Sequence, residues 1–127
     1  MKSTPLLILA VVSCVARTLM ADDKFPPFLY AAEEVQKIIR YDSEGKVGWE
    51  YPAPMVRDVW ALPNGNVLFC FNRDYDAGKN DNPSGVMEVT QEKRVVFSFS
   101  TTGQVWSCQW LLDGNTMVGA ASQPMQT

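Results

Sequence analysis

The chain has 127 residues, with 11 Lys and Arg, 14 Asp and Glu, three Cys and no His. This length accommodates a single domain, and the scattered basic residues do not form the dense patch that binds nucleic acid. Without histidine, the chain itself cannot supply Ser-His-Asp or Cys-His catalysis or a His-ligated metal site.

Residues 1–21 have the pattern of a secretory signal peptide. Lys2 provides the positive start, residues 6–15 form the apolar segment, and Ala21 ends a small-residue cleavage site. The apolar run is shorter than the roughly 20 residues that cross a bilayer, so a transmembrane anchor is not expected. We therefore predict a secreted or periplasmic protein. A lipoprotein anchored through Cys14 is the less favoured alternative.

The mature chain, residues 22–127, is predicted to form nine short strands. They are expected at Phe28–Ala32, Gln36–Tyr41, Val47–Tyr51, Val56–Leu62, Asn66–Phe71, Gly85–Thr90, Arg94–Phe99, Val105–Leu112 and Thr116–Ala120. Residues 31–39 also fit a short amphipathic helix. A strand is favoured there because it agrees better with the repeat described below.

Two dipeptides mark tight turns between these strands. Asn64-Gly65 and Asp113-Gly114 are each flanked by apolar runs, which is typical of two-residue type I′ hairpins with positive φ at both turn positions. Ser43–Gly45 predicts a further turn.

The sequence contains an internal repeat. Residues 57–69 align with residues 106–118, and residues 39–51 align with residues 87–99, at offsets of 49 and 48 residues. Several strands are apolar on both faces, as expected for sheets that are covered on both sides. Four-stranded antiparallel sheets at this period are typical of the blades of a β-propeller, whereas a β-sandwich predicts no such repeat.

The predicted fold class is therefore all-β, with about two blade equivalents. Residues 28–51 supply strands of a first blade, residues 56–99 a complete blade, and residues 105–120 the start of the next. Closed propellers contain four to eight blades, so the ring would need missing further blades or self-association.

Residues 42–49 resemble the repeat signature of pyrroloquinoline-quinone-like, or quinoprotein-type, propellers, through Asp42, Gly45 and Trp49. The resemblance implies roles in building the blade: the glycine in the tight turn and the tryptophan as a filler between sheets. The hairpins at Asn64-Gly65 and Asp113-Gly114 resemble those of arylsulfotransferase-like propellers.

The second copy of the signature departs from this pattern. Thr90 replaces the aspartate, Lys93 the turn glycine and Phe97 the tryptophan. The resemblance therefore implies an architecture, and it carries over no catalytic residue.

Three residues at the starts of predicted innermost strands are candidate ligand contacts at the rim of a central channel. They are Arg57, Asp58 and Trp106. For Arg57 and Asp58, the favoured alternative is that they form a local ion pair or lie at solvated strand ends. The four tryptophans are interpreted as packing residues rather than carbohydrate-stacking platforms.

The loop at residues 72–82 is rich in oxygen ligands, and Asp74, Asp76 and Asp81 are its candidate metal ligands. The spacing does not match a calcium-binding EF-hand, and Asp and Asn are also common in ordinary turns. Cys70 and Cys108 lie in apolar runs and are interpreted as buried structural thiols rather than as a disulfide.

We predict an exported propeller repeat protein that binds an unknown small ligand or protein and has no catalysis of its own. The alternative is a fragment of a propeller enzyme of arylsulfotransferase-like or quinoprotein dehydrogenase-like type. No cofactor is expected, and calcium and a quinone are the alternatives to that expectation.

Overall fold

The computed structural model describes residues 24–72 and 83–121. Within these ranges the chain forms nine strands and no helix, which confirms the all-β prediction. The strands are β1 (Phe28–Ala31), β2 (Lys37–Tyr41), β3 (Val47–Pro52), β4 (Asp58–Ala61), β5 (Val67–Phe71), β6 (Ser84–Val89), β7 (Val95–Thr101), β8 (Val105–Trp110) and β9 (Thr116–Ala120).

The strands form three antiparallel sheets, each a simple meander. The first sheet has the order β1-β2-β3, the central sheet β4-β5-β6-β7 and the third sheet β8-β9. A turn at residues 33–35 precedes β2, which begins at Lys37. The two predicted strands, Phe28–Ala32 and Gln36–Tyr41, are therefore confirmed to within one residue at each end, and the helical alternative for residues 31–39 is wrong.

The central sheet is buried on both faces at β5, whereas its edge strand β7 is exposed. All five residues of β5 are buried, and because side chains alternate along a strand, they divide between two cores. Val67, Phe69 and Phe71 pack with Ile38 and Trp49 from the first sheet. On the opposite face, Leu68 and Cys70 pack with Val105 and Cys108 from the third sheet. The three sheets are thus stacked face to face.

Four hairpins share one loop geometry, and it is not the predicted type I′ turn. In the β4–β5 hairpin, the N–H of Leu62 donates to the carbonyl of Asn66 at 2.9 Å, and the N–H of Gly65 donates to the carbonyl of Leu62 at 2.9 Å. The loop therefore has three residues, and only the last of them, Gly65, has positive φ (87°), while Asn64 does not. This is the arrangement of a turn followed by a left-handed bulge residue.

The β8–β9 hairpin is closed in the same way, so the type I′ prediction at Asp113-Gly114 is also wrong. Only Gly114 adopts positive φ there. The physical reason is that one left-handed residue at the third loop position is enough to reverse the chain. The preceding side chain then stays free to accept a hydrogen bond, and Asp113 Oδ1 accepts from the N–H of Asn115 at 2.9 Å.

In the β2–β3 hairpin, the side chain of Asp42, directly before the loop, accepts hydrogen bonds from backbone N–H groups. Its Oδ1 accepts from the N–H of Glu44 at 2.8 Å and from the N–H of Lys46 at 2.9 Å. The hydrogen bond from Lys46 is the main reason that the pKa of Asp42 is lowered, because a backbone donor favours the ionised carboxylate. The blade-building role inferred for Asp42 thus corresponds to a local hydrogen-bonding role in the loop.

The β6–β7 hairpin carries Lys93 where the other three loops carry glycine. Lys93 has φ of 65°, close to the 75° of Gly45. A left-handed conformation brings the Cβ atom close to the backbone and costs about 1–2 kcal/mol for an L-residue. This hairpin is therefore strained relative to its three counterparts.

We expect Lys93→Gly to raise the free energy of unfolding by about 1 kcal/mol, because glycine adopts positive φ without that cost. Lys93→Ala is the matched control, since it removes the same charge but keeps Cβ, and it should change stability little. Gly45→Ala should lower stability by a similar amount, because an added Cβ meets no atom within 4 Å and only the backbone conformation changes. Urea unfolding followed by fluorescence measures all three. Equal effects of the two Lys93 variants would contradict the strain.

Candidate functional site

Two of the three predicted rim residues meet at one end of the stacked sheets. Arg57 precedes β4, and Trp106 lies at the start of β8. The guanidinium carbon of Arg57 lies 4.0 Å from the centre of the Trp106 ring. At this distance the cation is attracted to the negative face of the indole. The contact between Arg57 and Trp106 therefore links the central sheet to the third sheet.

The same arginine also reaches the first sheet. Its Nε lies 2.6 Å from Oε1 of Glu33, in the turn between β1 and β2. The contact is an ion pair without hydrogen-bond geometry, and among the described residues Nη1 of Arg57 is buried without a hydrogen-bond partner. The guanidinium is thus held by a carboxylate on one side and an indole on the other. We call Glu33, Arg57 and Trp106 the three-sheet clamp.

Asp58 has a different role from its neighbour Arg57. Its Oδ2 accepts a hydrogen bond from the backbone N–H of Cys108 at 3.0 Å, so this side chain joins β4 to β8. Asp58 is also the strand partner of Cys70 in the β4–β5 pairing. The structure thus places all three predicted rim residues in contacts between sheets.

Asn72 is an intersheet residue that the sequence analysis missed. It follows β5 directly, and only 1% of it is exposed. Its Nδ2 donates to the carbonyl of Val105 at 2.8 Å, and its Oδ1 accepts from the N–H of Val105 at 2.8 Å. The side chain therefore pairs with β8 as a strand backbone would. An amide directly after a continuous apolar strand was the only local signal, and the partner lies 33 residues away.

The tryptophans differ in environment. Trp49 is buried between the first and central sheets, and its Nε1 donates to the carbonyl of Gln91 at 2.9 Å. Trp110 packs at the edge of the core between the central and third sheets. The packing interpretation fits these two. Trp60 and Trp106 are more exposed, and Trp106 contributes mainly its ring face to Arg57.

A shallow groove lies between the first and central sheets, along β1 and β4. Its volume is about 240 Å³, and its wall includes Leu29, Arg40 and Ala61. Arg40 is engaged by the loops of the central sheet, since it donates to Oε1 of Gln91 at 2.7 Å. The groove is therefore largely apolar, and its one charged side chain, Arg40, is already hydrogen-bonded to Gln91.

The candidate metal ligands Asp74, Asp76 and Asp81 lie outside the described residues. In the part of the chain that the structure covers, no three acidic or cysteine side chains are grouped to hold a metal ion. Cys70 and Cys108 are free and buried, as expected for structural thiols. Both belong to the core between the central and third sheets.

Comparison with family models, with curated proteins and with solved structures finds no match to this chain. No helix in residues 24–72 or 83–121 is long and apolar enough to cross a bilayer.

We expect Asn72→Ala to lower the free energy of unfolding by about 2–4 kcal/mol, because it leaves the N–H and the carbonyl of buried Val105 without partners. Asn115→Ala is the control. Among the described residues its side chain bonds only to Asp113, on an exposed loop, so its effect should stay below about 0.5 kcal/mol. Urea unfolding of both variants tests this, and equal losses would contradict a special role for Asn72.

Proposed function

We propose that the three sheets are successive blades of a β-propeller and that the chain acts as an exported binding scaffold without catalysis of its own. The observation that carries this proposal is the burial of β5, in the interior of the central sheet, between two neighbouring sheets. Each sheet in a propeller is covered on both faces in this way. The resemblance to quinoprotein-type repeats leads to the same architecture.

One face of β7 is an exposed apolar surface, and it supports a role in binding protein. The sequence alignment pairs Trp49 with Phe97 and Tyr51 with Phe99. Trp49 is 9% exposed because the central sheet covers it, whereas Phe97 is 39% and Phe99 43% exposed. Phe99 is paired with Val86, which belongs to the core toward the third sheet. The two phenylalanines therefore lie on the face directed toward the third sheet.

The described strands of the third sheet leave this surface uncovered. β8 packs against β4, β5 and β6, and β7 is exposed along nearly its whole length. An apolar face of this kind suits the face of another antiparallel sheet. We call Phe97 and Phe99 the β7 face.

A complementary surface lies at the opposite side of the stack. Leu29 and Ala31 of β1 pack toward the central sheet, so the alternating residues Phe28 and Tyr30 face away from it. Both are exposed, and Phe28 stacks on Tyr41 with ring centres 5.1 Å apart. We call Phe28 and Tyr30 the β1 face. We propose that the β7 face of one copy binds the β1 face of another, in a head-to-tail contact.

We expect the chain to self-associate in light scattering, with a mass that grows with concentration because a head-to-tail contact leaves one free face at each end. Phe97→Ser with Phe99→Ser, or Phe28→Ser with Tyr30→Ser, should each give a monomer. An equal mixture of these two double variants should form a 1:1 dimer, because each variant retains the face that the other has lost.

Leu112→Ser is the control for nonspecific adhesion. Leu112 is 95% exposed at the tip of the β8–β9 hairpin, and its removal should leave association unchanged. Two outcomes would contradict the head-to-tail contact: a wild-type monomer at all concentrations, or a mixture of the double variants that fails to associate. Circular dichroism of each variant verifies that the β structure is retained.

We also expect export to remove residues 1–21. After expression in a host with a secretory signal peptidase, the intact mass of the protein recovered outside the cytoplasm should correspond to a chain that begins at Asp22. A chain that retains Met1 in that fraction would contradict the signal peptide. A lipid-modified chain that begins at Cys14 would support the lipoprotein alternative.

A further inference from the structure

Cys70 and Cys108 lie opposite each other in the interface between the central and third sheets. Cys70 is on β5 and Cys108 on β8. Both are buried, at 0% and 2% exposure, within one core cluster that also contains Leu68, Val86 and Val105. A free cysteine in such a core is usually an isolated small hydrophobic residue. Here two of them face each other.

Two sets of hydrogen bonds close to the thiols fix β5 and β8 relative to each other. Asn72, two residues after Cys70, is bonded twice to Val105, three residues before Cys108. Asp58, the strand partner of Cys70, accepts from the backbone N–H of Cys108. The strands therefore cannot slide past each other without breaking buried polar contacts, so the two thiols stay opposed.

The two thiols interact directly. A hydrogen bond with the Cys108 thiol is the main cause that lowers the pKa of Cys70, and the backbone N–H groups of Arg57 and Asp58 act in the same direction. The same contact with Cys70, followed by burial, raises the pKa of Cys108. We assign the first attack to Cys70, whose pKa is the one that is lowered.

We propose that Cys70 and Cys108 form a redox pair that is oxidised to a disulfide between the central and third sheets. The oxidant is a small-molecule or protein disulfide, such as glutathione disulfide, of the kind found in an oxidising exported compartment. The inference does not depend on the head-to-tail contact.

The reaction is thiol–disulfide exchange. The Cys70 thiolate attacks one sulfur of the oxidant, the oxidant's S–S bond breaks, and one thiolate leaves while a mixed disulfide forms. The Cys108 thiol then loses its proton to the solvent and attacks the Cys70 sulfur, and the second half of the oxidant leaves as a thiol. Two protein thiols are oxidised, and one oxidant disulfide is reduced to two thiols.

Burial makes the opening of the third sheet a necessary step. An oxidant cannot reach thiols with so little exposure. The described part of the third sheet has only two strands, however, and it packs on the central sheet through β8. Its local release would expose both thiols at once. After it repacks, the disulfide would link the two sheets covalently across a loop of about 38 residues, which restricts the unfolded chain.

The test uses the full chain with Cys14→Ser, so that only the two core thiols remain. The protein is equilibrated in a glutathione buffer poised toward the disulfide, alkylated under denaturing conditions, digested and mapped by mass spectrometry. We expect a peptide that links Cys70 to Cys108, and a melting temperature about 10 °C or more above that of the sample reduced with dithiothreitol.

Cys70→Ala and Cys108→Ala, each in the same background, are matched controls that should lose the dependence of melting temperature on the buffer. The peptide map of the Cys14→Ser protein, which keeps both core thiols, keeps the test informative if either variant fails to fold. Two results would overturn the proposal: both thiols fully alkylated after equilibration in the oxidising buffer, or cysteines found only as glutathione adducts or as bonds between chains. A linked peptide without a rise in melting temperature would show that the disulfide forms but does not stabilise the contact between the two sheets, and would overturn that part of the proposal.

Discussion

The structure depends on the burial of β5 on both faces. Its five residues are apolar throughout, so consecutive side chains enter two different cores. The first sheet covers one face and the third sheet the other. Full burial of one large apolar side chain contributes about 1.5–3 kcal/mol, and Phe69 and Leu68 contribute on opposite sides. A polar substitution in β5 would therefore weaken the packing of a neighbouring sheet as well as its own.

Apolar packing brings the sheets together, but polar contacts fix their relative register. Hydrophobic contacts are not directional, so two flat apolar faces alone would tolerate sliding. Asn72 bonded to Val105, Asp58 bonded to Cys108, and Trp49 bonded to the Gln91 carbonyl each join one sheet to the next. The three-sheet clamp adds a cation held between a carboxylate and an indole. These contacts also hold the two core thiols in opposition.

The hairpins show how far local sequence reasoning extends. It located three of the four turns directly, because Gly45, Gly65 and Gly114 provide the residue type that adopts positive φ without cost. The fourth turn, at Lys93, followed only from the alignment of the repeat. It misjudged the type of turn at Asn64-Gly65 and Asp113-Gly114, because the choice between a two-residue and a three-residue loop depends on which backbone groups close the hairpin. It also could not show that Lys93 adopts the glycine conformation, because strand pairing on both sides imposes that conformation.

By itself, the sequence determined the all-β class, the approximate positions of nine strands and the burial of β5 on both faces. These features follow from local patterns, since alternation, apolar runs and turn residues act within a few positions of the chain. The same apolar pattern wrongly predicted cover for β7, whose residues Val95, Val96 and Phe97 are exposed. Only the tertiary structure decided that Arg57 lies between Glu33 and Trp106, that Asn72 pairs with Val105, and that the two core cysteines meet. These partners are between 24 and 49 residues apart in sequence. No local pattern encodes them, because the stacking of the sheets brings them together.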